Sequence, residues 1–262
     1  TLVGAPEWTC VSSLLRFEVS SDFAKPVPPV WERSGLIVPH VTGMEDVVDR
    51  FAEKFASADV RKSYGVTDDE IEGFVRRLRG WINDPMKLRL GWMPRAHPLI
   101  RSDGTLIVPL SNENFDIPVM AMTSDGGRSW TFSQPVPQLG LTQPTLVEFP
   151  DGTIDAYFRN GDPRHRIQKS RSTDGGVTWS TPELTDRPHP GAGIEVLRLE
   201  NGHLALVYNN HEEGPRDRRA VSISVDGGRT WPWTRQPEET PGGRFAAPPV
   251  CYVPERVGVP AP

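Results

Sequence analysis

Arg95, Arg159 and Arg244 are the residues from which a chemistry can first be read. A guanidinium stays charged and forks parallel N–H donors onto a carboxylate, so three of them brought together would hold an organic acid. Large polar side chains of other types accompany them: His97, Asn112, Glu113 and Asn114 after Arg95, Gln143 and Asn160 about Arg159, then Glu195, Tyr208, Asn209 and Asn210. Histidine, tyrosine and carboxylates suit proton transfer, and the amides Gln143, Asn112 and Asn209 suit ligand binding. These groups are scattered along the chain, so the chemistry depends on a fold that gathers them.

A repeat supplies that fold. Thr123-Ser-Asp-Gly-Gly-Arg-Ser-Trp130, Ser172-Thr-Asp-Gly-Gly-Val-Thr-Trp179 and Ser224-Val-Asp-Gly-Gly-Arg-Thr-Trp231 read alike, with their aspartates 49 and 52 residues apart. Asp103-Gly104, Asp151-Gly152 and Asn201-Gly202 precede these aspartates by 22, 23 and 25 residues. Asp-Gly and Asn-Gly between apolar runs predict hairpins closed by tight primed turns, in which positive φ is needed. Each repeat of about 50 residues therefore carries two hairpins, and four antiparallel strands per repeat make a β-propeller blade. The expected fold class is all-β: a propeller of four-stranded antiparallel blades, four to six in number, the ring either complete or incomplete, spanning residues 1–262 as one domain. Strand direction then fixes the site. Residues before the first strand and after the second of each blade share the rim opposite the Asp/Asn-Gly turns. Those positions are the ones occupied by the arginines and their polar companions. The Asp-Gly-Gly motifs fall in the second hairpin, on the other rim, and read as structural.

Composition narrows the class. The 262 residues carry 29 Lys plus Arg against 34 Asp plus Glu, a net charge of −5, which argues against a nucleic-acid footprint. No apolar run approaches the length of a membrane helix. Cys10 and Cys251, the two cysteines, exclude a disulfide scaffold and a multi-cysteine metal site; they either pair across a closed ring or stay as free thiols. No metal cluster or nucleotide loop is evident, so no cofactor is expected. No secretion leader is legible, and the oligomeric state is open.

Residues 44–88 break the repeat. Val47, Val48, Phe51 and Phe55 recur at helical spacing, and Thr67-Asp-Asp-Glu70 is a capping box ahead of Ile71, Phe74, Val75, Leu78, Trp81 and Ile82. Two amphipathic helices packed beside the propeller are expected. Residues 1–40 are expected to supply strands of an early blade. The loop with Asp162, Arg164, His165 and Arg166 reads as a surface loop, and Glu212–Arg219 as a solvated charged loop.

The three motifs resemble the Asp-box, or bacterial neuraminidase repeat, pattern Ser/Thr-x-Asp-x-Gly-x-Thr/Ser-Trp. Residues 91–245 are similar to the exo-sialidase-type family through Gly91-Trp-Met-Pro-Arg-Ala-His-Pro98, Gln143-Pro144, Asp151-Gly152, Gly191-Ala-Gly-Ile-Glu195, Asn201-Gly-His203 and Tyr208-Asn209. The resemblance implies a terminal acidic sugar held by an arginine triad, with Glu195 and Tyr208 as the nucleophile pair and Glu113 or Asp116 as the acid. A glycan or oligosaccharide with an acidic sugar is the expected partner, which favours a secreted or periplasmic location. Where relatives carry a Tyr-containing stretch after Arg-Phe, this chain has Arg244-Phe245-Ala246-Ala247. Two alternatives stand beside a hydrolase. One is a uronate-specific lyase in which His97 or Tyr208 abstracts a proton. The other is a non-catalytic glycan- or protein-binding propeller.

Overall fold

The computed structural model describes residues 13–22, 27–112, 114–214, 216–239, 251–253 and 256–258. A hairpin of β1 (Leu15–Val19) and β2 (Arg33–Ile37) leads into four helices: α1 (Met44–Phe55), α2 (Ala58–Tyr64), α3 (Asp68–Ile82) and α4 (Pro85–Arg89). Three antiparallel sheets follow. The first has β3 (Trp92–Pro94) and β4 (Leu99–Ile100) both paired to β5 (Leu106–Asn112), then β6 (Ile117–Thr123) and β7 (Thr131–Phe132). The second runs β8 (Leu141–Glu148), β9 (Ile154–Asn160), β10 (Arg166–Ser172), β11 (Glu183–Pro188). The third runs β12 (Glu195–Arg198), β13 (Leu204–Asn209), β14 (Arg218–Ser224), β15 (Trp233–Glu239). A last hairpin pairs β16 (Cys251–Val253) with β17 (Arg256–Gly258). Four strands per repeat in simple up-and-down order is propeller-blade topology. Three complete blades stand among the described residues, against the four to six expected.

The sequence predicts hairpins at Asp103-Gly104, Asp151-Gly152 and Asn201-Gly202, and hairpins form there, but the turn differs. Gly104, Gly152 and Gly202 donate to the carbonyls of Arg101, Phe149 and Leu199, each at 2.9 Å, and the glycines alone take positive φ, from 82° to 85°. This is a three-residue loop ending in a glycine bulge, not the two-residue primed turn. The Asx side chain closes it by accepting from the amide two residues on: Thr105, Thr153 and His203 at 2.9, 3.0 and 3.1 Å.

Each Asp-box folds into the same cage. The Asp125 carboxylate accepts from the amides of Arg128 (2.8 Å) and Ser129 (3.0 Å) and from the Ser129 hydroxyl (2.7 Å), while Thr123 Oγ1 accepts from Gly127 N at 2.9 Å. Asp174 and Asp226 repeat the pattern with Thr178 and Thr230. The second glycine of each motif has φ of 80–93° and its Cα faces a side chain of the preceding unit: Phe17 for Gly127, Ile107 for Gly176 and Tyr157 for Gly228. Phe17 on β1 thus stands where β5 and β9 place Ile107 and Tyr157, so the β1–β2 hairpin packs as a preceding blade would.

The core runs between these layers. Ile107, Met120 and Met122 of the first blade meet Leu146, Ile154, Phe158 and Trp179 of the second. Val147 and Tyr157 of the second meet Val196, Leu206 and Trp231 of the third. The helices bury Val47, Val48, Val75, Leu78 and Ile82 against Val108, Leu110, Phe115 and Ile117 of the first blade. The capping box forms as expected, Glu70 N bonding Thr67 Oγ1 and Glu70 Oε2 accepting from Thr67 N at 2.8 Å. The helical count differs from expectation: four helices, not two. Neither α2 nor α4 buries a residue, so neither leaves an apolar stripe to read. Their signals are caps, Ser57 for α2 and Asp84 before Pro85 for α4.

Candidate functional site

The inner strands carry the first group of functional side chains. β3 and β4 pair with one strand but leave residues 95–98 looped out between them, which frees Arg95 and His97 from the ladder. On β8 the register slips between Thr142 and Thr145, and Gln143 takes a φ of 51° there, its amide bonding Ser111 Oγ at 3.1 Å. On β12, Glu195 opens the strand.

These irregular stretches bring three blades together. His97 Nδ1 lies 2.7 Å from Glu195 Oε1, which also accepts from Thr145 Oγ1 at 2.9 Å. The Glu195 side chain is 1% exposed and that of His97 is 34% exposed, so the carboxylate is sealed and the imidazole reaches solvent. Arg95 Nη1 stands 3.8 Å from Glu195 Oε2 and donates to Ile194 O at 3.3 Å. Burial lowers the pKa of Arg95 and the Glu195 charge raises it. With Nδ1–H donated to Glu195, His97 Nε2 has no partner among the described residues and is free to take or give a proton. Gly193 is part of this geometry: a Cβ there would lie 2.5–2.7 Å from the Arg95 guanidinium, so only glycine admits that side chain.

A second group borders a cleft of about 890 Å3 between the helices and the first two blades. Arg159, Asn160, Asp162, Thr142 and Asp116 line it from the blades, and Phe51, Lys54, Tyr64 and Phe74 from the helices. Asp162 is held by a two-bond fork from Arg164 (2.7 Å each) and by Tyr64 Oη at 2.9 Å. Burial alone would raise its pKa; those hydrogen bonds outweigh it and hold the carboxyl down at about 2. Gly161, Pro163 and Arg164 of this segment are exposed, as expected of a surface loop, while Asp162 itself is buried and forms part of the cleft wall.

The 189–193 segment connects the two groups, since Gly191 borders the cleft and Gly193 lies against Arg95. His189 is buried, with Nε2 on Ala192 O at 2.8 Å and Nδ1 accepting from Gly191 N at 3.1 Å. Burial first, then the positive charges of Arg159 and Arg216, push its pKa down to about 4 despite the Ala192 bond. Arg216 donates to Gly191 O at 2.9 Å. Arg159 and Arg216 thus both lie near enough to His189 for their charges to act on it.

Other expected site residues are placed differently. Glu195 pairs with Val207, so Tyr208, the next residue, projects from the opposite face of the third blade. Its hydroxyl meets Ser222 Oγ at 3.1 Å, and it does not form a pair with Glu195. Asn112 is fully buried: its amide donates to Leu90 O at 2.8 Å and its oxygen accepts from Asn114 N at 2.9 Å, which fastens a loop and leaves nothing for a ligand. Asn209 is buried on the face that carries Glu195, opposite Arg219. Gln143 lies at the β8 slip. Glu113 and Arg244 lie outside the described residues, as do Ala246, Ala247 and Cys10. Sequence reasoning missed Thr145, Gly193 and Arg216. The Gly191-Ala-Gly stretch ahead of Glu195 was the available signal for Gly193. Among the described residues, no three His, Cys, Asp or Glu side chains group as a metal site, and no helix is long and apolar enough to cross a membrane.

Repeated four-stranded blades, three Asp-box cages and a polar rim opposite them define a sialidase-like β-propeller. Residues 84–255 match the BNR repeat-like domain, and the chain belongs to that family. The chain is 33% identical over 79 residues to an anhydrosialidase of Macrobdella decora, a stretch that makes up 29% of this chain and 10% of that protein. The NanB sialidase of Streptococcus pneumoniae aligns at a TM-score of 0.56 and 19% identity, over 64% of this chain and 27% of NanB. A point variant of NanB aligns at 0.53 and 20%, over 60% of this chain and 25% of that one. The chain thus spans about a tenth and about a quarter of these proteins' lengths.

Proposed function

We propose that this protein is a carbohydrate-active enzyme of the sialidase type, cleaving the glycosidic bond of a terminal acidic sugar whose carboxylate is held at Arg95 and Arg159. The observation that supports it is the meeting of Arg95, His97 and Glu195, drawn from two blades and braced by Thr145 of a third. A buried carboxylate that fixes an imidazole with a free Nε2 makes an acid–base group, and the guanidinium forks of Arg95 and Arg159 suit a carboxylate ligand. In this reading His97 serves the leaving oxygen or the incoming water, and Glu195 orients it.

One observation favours a second reading. Tyr208 faces away from Glu195, so the Tyr–Glu nucleophile pair is not assembled, whereas the proton-transfer group is. In a uronate lyase the arginines would neutralise the carboxylate while His97 Nε2 takes the proton α to it. The bond from the β-carbon to the glycosidic oxygen would break as a carbon–carbon double bond forms.

Two assays test these readings. A fluorogenic sialoside should be turned over by the parent and lost in His97→Ala and Arg95→Ala; release of an ultraviolet-absorbing unsaturated product from oligouronate would instead support the lyase. Turnover of neither substrate overturns the enzyme reading in favour of a binding propeller.

A further inference from the structure

The connection from β11 to β12 carries the seat of Arg95. Gly193 lies flat against the guanidinium, Ile194 O accepts from Nη1 at 3.3 Å, and Glu195 Oε2 stands 3.8 Å from the same nitrogen. The Arg95 side chain is 25% exposed, so this seat leaves part of it open to solvent. Three consecutive residues make the seat, and its direction therefore follows from how the connection is held. Gly191, at a φ of 70°, and Gly193 leave the connection little stiffness of its own.

The missing stiffness comes from one imidazole. His189 is buried and anchored to the second blade by its amide, which bonds His165 O at 2.9 Å. Both ring nitrogens close onto the connection. A carbonyl only accepts and an amide N–H only donates, so Nε2 carries the proton for Ala192 O and Nδ1 takes the bond from Gly191 N. The neutral ring satisfies both bonds in that tautomer; a protonated ring would set N–H against N–H at Gly191. Burial first, then the charges of Arg159 on β9, Arg216 ahead of β14 and His165 before β10, keep the ring neutral down to about pH 4 despite the Ala192 bond. His165 itself stands 3.2 Å from Glu213. Arg216 adds an outer tie at Gly191 O, and Ala192 and Ile194 are fully buried, so the connection has no room to swing.

We propose that His189 is a positioning residue for Arg95: it shapes the connection so that residues 193–195 hold the guanidinium ready for the ligand's carboxylate. The inference rests on the acidic-sugar reading above, which gives Arg95 its ligand. Glu195 is fixed separately, by Thr145 and His97, so loss of His189 weakens binding more than it slows the chemical step.

The test is steady-state kinetics of the full chain on a fluorogenic sialoside. His189→Leu should raise KM about tenfold and lower kcat by less than about threefold. A residue that served stability alone would lower the active fraction, and with it kcat, at an unchanged KM. His189→Gln can offer an oxygen to Gly191 N and an N–H to Ala192 O, so it should bring KM back to within about twofold of the parent. As pH falls from about 6 to about 4, protonation of His189 should raise the parent's KM, and the rise should be smaller in His189→Gln. Arg216→Ala cuts only the outer tie; it should raise KM about threefold, and it decides the matter if His189→Leu does not fold. An unchanged KM in these two variants, or no recovery in His189→Gln, overturns the assignment and leaves the acidic-sugar reading standing. If the parent turns over no sialoside, that reading fails and the Arg95 side chain decides the assignment. Its 15N Nε–H resonance, identified by its loss in Arg95→Lys, should move in His189→Leu and return in His189→Gln. A resonance that stays in place in His189→Leu overturns the positioning role.

Discussion

The two rims of the blades are built on opposite plans. On one, Asp125, Asp174 and Asp226 make three copies of the same cage, with the same donors at nearly the same distances. On the other, no two blades agree: one offers a looped-out Arg95 and His97, the next a slipped Gln143 and an Arg159, the third a buried Glu195. Repetition marks the positions that hold blades together, where every blade faces the same task. Divergence is what positions facing something asymmetric, such as the proposed sugar, would need. Fold alone does not carry function, and the irregular rim is what distinguishes these blades from one another.

The largest effect that would break this contrast is on turnover. His97→Ala should lower kcat by about 10²–10⁴-fold, the usual worth of an acid–base group. Asp174→Ala should do the reverse, lowering the melting temperature while kcat is unchanged. A kcat loss in Asp174→Ala, or none in His97→Ala, would erase the division between the rims.

Gly176→Ala and Gly193→Ala separate the rims at the backbone. The first forces a side chain into a φ of 93° against Ile107, 3.2 Å away, and should destabilise by about 1–3 kcal/mol in chemical denaturation without touching KM. Gly193 is not at positive φ, so Gly193→Ala acts by displacing the Arg95 guanidinium and should raise KM about tenfold.

Acid titration gives a subtler separation. His189 has a depressed pKa, so an unfolded chain binds its proton first; its stabilisation is full above about 6.5 and is lost as pH falls to about 4. The cage aspartates are also depressed, Asp125 by the Ser129 amide and hydroxyl and Asp226 by the Thr230 hydroxyl and amide. Their contribution is present above about 3.8 and is lost below it, and Asp162 shares this window. Melting followed against pH should therefore fall in two stages, and His189→Gln should flatten the upper one alone. The smallest effect is expected of Thr145→Val, which removes one of two hydrogen bonds to Glu195 Oε1 and should cost a few-fold in kcat.

The repeat was legible because its determinants are local: an Asx side chain, a glycine and the amide two residues on lie within one turn. The turn class was not, since both hairpin types accept Asp-Gly and the choice falls to strand register. α1 and α3 were legible from apolar spacing, whereas α2 and α4, which bury nothing, had only caps to show. Rim logic placed Arg95, His97 and Glu195 on one side of the blades, and they meet. It failed for Tyr208 because a strand alternates faces, and one residue separates the Glu195 side from the other. Asn112 was misread because its two ends are spent on backbone groups 22 and two residues away, which only the folded loop reveals. Thr145 and Gly193 act across blades, so nothing in their own neighbourhoods announces them.

Among the described residues, a Cβ on the second glycine of each cage would meet the unit before it and not the unit after. The array is therefore polar: each blade is a lock whose key is its upstream neighbour, and Phe17, Ile107 and Tyr157 are three different keys. Exchanging two blades would misfit at those glycines even with every cage intact, so the order of the blades is written into their sides as well as into the chain that joins them.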